Sequence, residues 1–397
     1  MEGWNTYTLE QACERIYSGG TPSTKYPEYW NGNLKWLSSG ETSQRFIYDT
    51  ERKITQEGVN NSSTKLAKKG CTVIATAGQG YTRGQASFLM TDTYINQSVI
   101  ACKANENVVL PLYLYYNLNN RYEEFRLLSD GTSTRGGLSG WILKRMDINL
   151  PPLDVQAEVV SILYSIDQKI EENERINKNL QAQAQAVFLH LFADNESVIP
   201  ASIADVALNV TDGVHNTVHD DPDGEYLLLS CKNIKGGSLS IGTSERRINA
   251  ETFEKLRCRT KLAKGDVLIS SVGTVGELLL VNTEPSNYEF QRSVAMVKPN
   301  PDIVSPVYLY EALLSQKAEL INAAHGAVQQ CLFISDIAGF PIGIPTQDDL
   351  LTFDEVVTPM FDTITANEAE SIRLAALRNA LLPKLMSGEI DVSDLDL

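Results

Sequence analysis

The sequence predicts an α+β protein in which two related, pseudo-symmetric α/β domains are separated by two long, antiparallel, coiled-coil-like helices. Three observations predict this fold class: a collinear internal repeat, a long helical pattern after its first copy, and a matching helical pattern after its second copy. The predicted domains are residues 1–150 and 196–345. The first long helix is predicted in 151–195, and the second, with a C-terminal tail, in 346–397.

The internal repeat consists of short matches that occur in the same order in both halves, about 195 residues apart. A repeat period of this length indicates duplicated domains and not a solenoid. The matched pairs are 64–68 with 260–264 (Thr-Lys-Leu-Ala-Lys in both), 96–99 with 291–294, 113–115 with 308–310, and 148–151 with 342–345.

Each domain is predicted to combine a sheet with a few helices. The runs 71–75, 266–271 and 278–281 are apolar, rich in β-branched residues and flanked by glycine, as strands with tight turns are. The segments 112–119 and 307–315 have helical patterns.

The first long helix is predicted to follow Pro151 and Pro152, which end the preceding strand because proline cannot continue a ladder. Residues 154–191 contain neither Gly nor Pro, and Asp154 is the predicted N-cap. At ~1.5 Å per residue this helix is roughly 55 Å long, so it needs a partner helix to bury its apolar stripe.

The predicted partner is the segment 347–386, which ends before Gly388 in the position of a C-terminal cap. Asn173 and Asn367 occupy the same heptad position in the two stripes. A buried Asn in such a seam fixes the register of the pair, whereas an Asn at the solvated edge of the stripe has no such role. Both interpretations stay open.

Composition excludes several classes of protein. With 397 residues and 43% hydrophobic content, the chain can form two domains with cores. We expect no signal peptide and no membrane span, since the sequence has no apolar run after a basic start and no stretch of 18 apolar residues. We expect a reducing, cytoplasmic environment, since the six cysteines are scattered and form no Cys-x-x-Cys pair.

The net charge of −16 favours, by itself, an acidic protein that does not contact DNA. Its distribution matters more than its sum. Residues 1–150 carry 16 basic against 14 acidic side chains, whereas 346–397 carry 3 against 11. The acidic excess therefore lies toward the C-terminus, where we expect solvent or a protein partner.

No catalytic signature is present. The sequence has no phosphate-binding loop of the Walker type, no dinucleotide fingerprint, no amino-methyltransferase signature and no Gly-x-Ser-x-Gly nucleophile motif. His215 and His219 have metal-like spacing, but Gly213 and Pro222 place them in a predicted loop and not on a helix. We therefore predict no metal site and no catalytic residue.

Loops that combine glycine with Arg, Gln, Ser and Thr are candidates for DNA contact, because these side chains bind base edges and phosphates. Each loop taken singly is better explained as a polar turn. Their occurrence at equivalent positions of both halves, with different side chains, favours recognition of two different targets. The candidate residues are Gln79, Arg83, Thr134, Arg135, His215, Arg292, Gln329 and Gln330.

A set of short motifs, in order along the whole chain, resembles the specificity subunits of type I restriction-modification systems. The motifs are 19–22 (Gly-Gly-Thr-Pro), 29–32 (Tyr-Trp-Asn-Gly), 35–38 (Lys-Trp-Leu-Ser), 151–156 (Pro-Pro-Leu-Asp-Val-Gln), 212–217 (Asp-Gly-Val-His-Asn-Thr) and 384–390 (Lys-Leu-Met-Ser-Gly-Glu-Ile). The proline usual soon after the histidine of the fifth motif is missing, and the second helix entry is reduced to 345–348.

The resemblance implies a non-catalytic DNA-binding subunit with two target recognition domains and no cofactor of its own. Each domain would bind one half of a bipartite site in double-stranded DNA, and the helix pair would set the gap at about one to one and a half turns of ~34–36 Å. Two modification subunits carrying S-adenosylmethionine would dock on the helices and flip the target adenine. Restriction subunits would join them, and no membrane partner is implied.

Two rival interpretations remain at this stage. A solitary methyltransferase or nuclease is disfavoured by the missing signatures. A ligand-binding or structural scaffold protein without DNA specificity is the main alternative, and it predicts no preference for any DNA sequence.

Overall fold

The structure is a computed structural model that describes residues 3–78, 80–130, 137–193, 195–242, 244–326 and 330–392. The chain forms two compact units. The first contains Met1–Ile170 and Arg373–Leu397, and the second contains Glu171–Ile372. Each unit thus includes part of both long helices.

The first unit contains short strands and short helices, followed by the first long helix. Its strands are β1 (Asn5–Thr8), β2 (Cys13–Ser18), β3 (Trp30–Leu37), β4 (Phe46–Ile47), β5 (Arg52–Ile54), β6 (Lys65–Ala67), β7 (Thr72–Ala75), β8 (Ala86–Leu89), β9 (Thr93–Ile95), β10 (Val99–Ala104) and β11 (Asp147–Leu150). Its helices are α1 (Leu9–Ala12), α2 (Gln56–Asn60), α3 (Pro111–Asn119), α4 (Tyr122–Asp130), α5 (Gly140–Arg145) and the beginning of α6 (Leu153–Phe192).

The second unit has a similar succession of elements, but its described residues include no counterpart of β6, and a two-stranded hairpin (residues 234–239) stands where the first unit has β4. Its strands are β12 (Ile199–Ser202), β13 (Ala207–Asp212), β14 (Tyr226–Leu229), β15 (Ile234–Lys235), β16 (Ser238–Leu239), β17 (Arg246–Ile248), β18 (Val267–Ser270), β19 (Leu278–Leu280), β20 (Tyr288–Phe290), β21 (Val294–Pro299) and β22 (Pro341–Ile344). Its helices are α7 (Ile203–Val206), α8 (Ala250–Thr260), α9 (Pro306–Ser315), α10 (Lys317–Asn322), α11 (Ile334–Ala338) and much of α12 (Gln347–Ser387).

The strand order of the sheets repeats between the units. The order β2-β10-β7-β8, extended by β4, corresponds to β13-β21-β18-β19. The order β5-β3-β9, extended by β6, corresponds to β17-β14-β20, and the pair β1-β11 corresponds to β12-β22. Within these sheets β3 pairs with β9, and β14 with β20, in parallel, so the corresponding strands have the same relative direction in both units.

The core of each unit lies between its first sheet and its helices. In the first unit α3 packs against β8 and buries Tyr113, Tyr115 and Tyr116 completely. In the second unit α9 packs against β19 and buries Tyr308 and Tyr310. Such burial removes large apolar ring surface from water, which is the main favourable contribution to folding.

The two long helices pair in an antiparallel manner within each unit. In the first, Leu163 of α6 and Leu385 of α12 belong to one buried cluster. In the second, Asn173 of α6 is fully buried, and its Nδ2 donates to Ser371 Oγ (3.3 Å) and Glu370 Oε2 (2.8 Å) of α12. The helices begin and end within one residue of the sequence-predicted bounds.

The N-cap prediction for the first long helix was wrong. Asp154 lies one residue inside α6, in its first turn, because the helix already begins at Leu153. There its Oδ1 accepts from the backbone N–H of Val155 (2.9 Å). A carboxylate in the first turn still stabilises the helix through the dipole.

Candidate nucleic-acid interface

In the second unit, a largely buried carboxylate holds two exposed basic side chains. Asp212, the last residue of β13, has a side chain that is 14% exposed, against 56% for His215 and 45% for Arg259. Nε2 of His215 donates to Asp212 Oδ2 at 2.6 Å, and Nη2 of Arg259 donates to Asp212 Oδ1 at 3.2 Å. The three residues form a single cluster, which we call the Asp212 cluster.

Backbone geometry fixes the segment that carries His215. A Cβ on Gly213 would lie 2.1 Å from the Phe290 carbonyl oxygen, so only glycine fits this close approach. The N–H of Val214 donates to that same carbonyl (3.2 Å), and the N–H of Arg292 donates to the Val214 carbonyl (3.1 Å). His215 and the exposed Arg292 therefore lie on neighbouring segments.

A buried ion pair holds helix α8, which carries Arg259, against strand β20. Arg257 Nε contacts Glu289 of β20, and Thr260 Oγ1 donates to the same carboxylate at 3.0 Å. Burial raises the pKa of Glu289, although Arg257 acts in the opposite direction. The helix ends at Thr260, and the next residue, Lys261, adopts a left-handed conformation with φ 50°.

The first unit has a related arrangement at the equivalent place. Ser18 pairs with Ile100 as Asp212 pairs with Ala295 in the second unit. Thr21 thereby corresponds to His215, and Gln97 corresponds to Arg292. The Thr21 hydroxyl donates to Gln97 Oε1 at 2.5 Å, which leaves the Gln97 amide N–H groups as donors.

The glycines of the motif at 19–22 have a structural explanation. A Cβ on Gly19 would lie 1.9 Å from the Ile95 carbonyl oxygen, and one on Gly20 would lie 2.0 Å from Ser63 Oγ. The N–H of Gly20 donates to the Ile95 carbonyl (3.1 Å). These contacts hold Thr21 beside Gln97.

The loop that contains Arg83 joins β7 to β8 and is tied to α4. The Gly80 carbonyl accepts from Arg126 Nη1 (2.7 Å), and the Tyr81 carbonyl accepts from the Tyr122 hydroxyl (3.0 Å). Arg83 is half-buried, whereas Tyr81 is exposed and lines an open groove of about 400 Å³.

The structure places only part of the predicted contact residues. Gln79, Thr134, Arg135 and Gln329 lie outside the described residues. Gln330 is exposed next to Cys331, whose backbone pairs with that of His325. His215 and Arg292 come together in the second unit, and Arg83 lies in the first. Their contact with DNA stays a prediction.

Sequence reasoning missed Arg259 and the holding role of Asp212. The predicted contact residues lie in predicted loops, whereas Arg259 lies in the last turn of a helix. The available signal was the pair of arginines Arg257 and Arg259, which face different surroundings because neighbours two apart on a helix do not share a face.

Among the described residues, no group of three or more His, Cys, Asp or Glu side chains could hold a metal ion. No helix in the same part of the chain is long and apolar enough to cross a membrane.

Comparison with known proteins identifies relatives along the whole chain. Residues 1–182 match the family described as "Type I restriction modification DNA specificity domain". The type I restriction enzyme MjaIX specificity subunit of Methanocaldococcus jannaschii is 28% identical, over 99% of this chain and 94% of its own. The type I restriction enzyme HindI specificity subunit of Haemophilus influenzae is 21% identical, over 98% of this chain and 100% of its own.

A solved structure shares the fold. The crystal structure of the type I restriction-modification system S subunit from M. genitalium superposes with a TM-score of 0.57 at 14% identity, covering 96% of each chain. The predicted α+β class with two related domains and paired long helices is confirmed.

Proposed function

We propose that this chain is a specificity subunit of a type I restriction-modification system and that it selects the DNA sequence on which such a complex acts. It has two recognition domains, and each contacts one half of a bipartite target in double-stranded DNA. The subunit itself is non-catalytic.

The observation that carries this proposal is the repetition of one site with different side chains. Thr21 and Gln97 stand in the first unit where His215 and Arg292 stand in the second, in segments next to strands that pair in the same way. Side chains of these types hydrogen-bond to base edges and phosphates. A common framework with different contact residues is what recognition of two dissimilar half-sites requires.

The remaining parts of the proposal concern partners. Two modification subunits, which bind S-adenosylmethionine, dock on the paired helices α6 and α12, and restriction subunits join the same complex in the cytoplasm. The helix pair sets the gap between the half-sites. The excess of acidic residues toward the C-terminus means that partners supply much of the positive charge that faces DNA, so this subunit alone binds DNA weakly and with strong dependence on salt.

Methylome sequencing of the native cells tests the proposed function. We expect adenine methylation at one bipartite motif in cells that carry the gene, its complete loss on deletion of the gene, and its return when the gene is restored. Methylation that persists in the deletion strain would refute the proposal. A scaffold protein without DNA specificity, the alternative, predicts no motif that depends on this gene.

A further inference from the structure

We propose that Arg259 is a specificity-determining residue of the second unit, that it recognises a guanine, and that Asp212 positions it. The inference rests on the proposed function and assigns chemistry to one part of its site. Arg259 lies outside the loops from which the other contact residues were predicted.

The first step is that Arg259 is both exposed and oriented. Its side chain is 45% exposed, yet Nη2 is fixed by Asp212 Oδ1 at 3.2 Å. Asp212 is itself only 14% exposed and is anchored in β13. A guanidinium held at one nitrogen loses less side-chain entropy on binding than a free one, which favours a specific contact.

The second step is that the residue at the position of Arg259 differs between the units. In the repeat that matches 64–68 with 260–264, Arg259 corresponds to Ser63. The next residues, Thr64 and Thr260, are both buried and both donate a side-chain hydrogen bond, to Ile95 O and Glu289 Oε1. A buried threonine therefore follows the position in both units, but the exposed side chain is a serine after α2 in the first and an arginine in the last turn of α8 in the second.

The third step concerns the chemistry of the contact. A guanidinium carries five N–H donors and no acceptor, so Arg259 can bind only acceptors. Asp212 occupies one of these donors, and the others are available to a ligand. In the major groove the acceptor pair O6 and N7 of guanine matches its geometry, and this is the most common specific contact of arginine. A phosphate oxygen also accepts, but it carries no sequence information.

The fourth step is that Asp212 does not repel the DNA. The Arg259 guanidinium balances the charge of its carboxylate, His215 donates a hydrogen bond to it at 2.6 Å, and little of it reaches solvent. It therefore acts as a positioning residue, which orients the guanidinium without touching a base.

The experiment uses the complete methyltransferase complex, in which this chain is assembled with its modification subunits, and the target motif found by methylome sequencing. Methylation rates are measured on duplexes in which each base pair of both half-sites is substituted in turn. For Arg259→Ala we expect discrimination at one G·C pair of one half-site to fall by about 5- to 150-fold, the range for one bidentate contact. Discrimination in the other half-site stays unchanged.

Two further variants are measured beside Arg259→Ala. Asp212→Asn keeps the shape but removes the charge that holds the guanidinium, so we expect weaker discrimination at the same base pair and nowhere else. Lys255→Ala is the matched control, since Lys255 is an exposed basic residue of the same helix. We expect no change in discrimination with that variant.

The possible outcomes separate the inference from the proposed function. If Arg259→Ala slows methylation equally on every duplex and reduces the salt dependence of DNA binding, Arg259 contacts a phosphate and the assignment is overturned. Unchanged discrimination at every position would overturn it as well. A native complex without any sequence preference would instead refute the proposed function. Circular dichroism and thermal unfolding of each variant verify that it is folded.

Discussion

Glu311 is a buried carboxyl group of the second unit that has no counter-charge among the described residues. It lies on α9 with no exposed surface, and within the described part of the chain neither of its oxygens has a hydrogen-bond partner. Burial raises its pKa to about 8. The matching residue of the first unit is Tyr116, whose hydroxyl donates to Asp167 at 2.7 Å.

Replacing Glu311 with Gln should make the free energy of unfolding less dependent on pH. The folded-state pKa lies above the unfolded value of 4.5, so the protonated group stabilises the fold fully below pH 4.5, and this stability is lost as pH rises toward 8. We expect Glu311→Gln to be more stable than the native chain at pH 8 by on the order of 1–3 kcal/mol, and little different at pH 5. Urea unfolding at the two pH values measures this.

Glu319→Gln is the control for that measurement, because Glu319 is an exposed carboxylate nearby in sequence. It should leave the pH dependence as it is. If Glu311→Gln has the same pH dependence as the native chain, the side chain is ionised in the folded protein and the account of its burial is wrong.

Single residues were the least predictable level of this structure. The sequence marks His215 because it follows Gly213 in a recognisable motif, and Arg292 because it stands where the first repeat has Gln97. It does not show that Arg259, in the last turn of α8, reaches Asp212 across 47 residues, because that contact depends on how the helix packs on β20. The burial of Glu311 was equally hidden, since a carboxylate is usually exposed.

The two halves of the helix pair differ in one buried contact. In the first unit Asp167 of α6 accepts from Arg378 Nη1 of α12 at 2.6 Å, and its side chain is only 2% exposed. The spacing that relates Asn173 to Asn367 also relates Asp167 to Phe361 and Arg378 to Ala184. Phe361 and Ala184 belong to the second unit, where both are buried in one apolar cluster. The two helices are thus held together at this position by an ion pair in the first unit and by apolar packing in the second.

Replacing Arg378 alone should lower the free energy of unfolding more than replacing both Asp167 and Arg378. Arg378→Met leaves Asp167 buried with Arg45 and Tyr116 alone, and we expect a loss of about 3–5 kcal/mol in unfolding free energy. Adding Asp167→Leu should recover part of that loss, because apolar residues of similar volume often replace buried ion pairs at little cost. Denaturant unfolding of the two single variants and the double variant gives the coupling.

Arg373→Ala, which changes an exposed arginine of α12, provides the baseline for a surface change. Strictly additive effects of the Asp167 and Arg378 variants would show that the two side chains do not interact, contrary to the structure.

Elements were predicted better than residues. The bounds of α6 and α12 follow from long stretches with one apolar face, and Gly388, with φ 70°, ends the second. The start of α6 was misplaced because Asp154 has the chemistry of an N-cap and also of a first-turn residue. The insertion of β10 between β2 and β7 was not predictable, since it joins strands that are far apart in sequence.

At the scale of the whole molecule, the duplication explains most of what the sequence revealed. Matches at 64–68 and 260–264, and at 96–99 and 291–294, predicted two domains with a shared framework, and the strand orders of the two units agree with that. Among the exposed positions at which the copies differ, Gln97 corresponds to Arg292 and Ser63 to Arg259. These are the positions at which each domain can acquire its own DNA target.

The most direct test of the central claim is an exchange of residues 1–150 for the corresponding domain of another specificity subunit, followed by methylome sequencing. One recognition domain for each half-site predicts a new sequence in one half-site, with the other half-site and the length of the gap unchanged. A change in both half-sites, or in neither, would contradict the account.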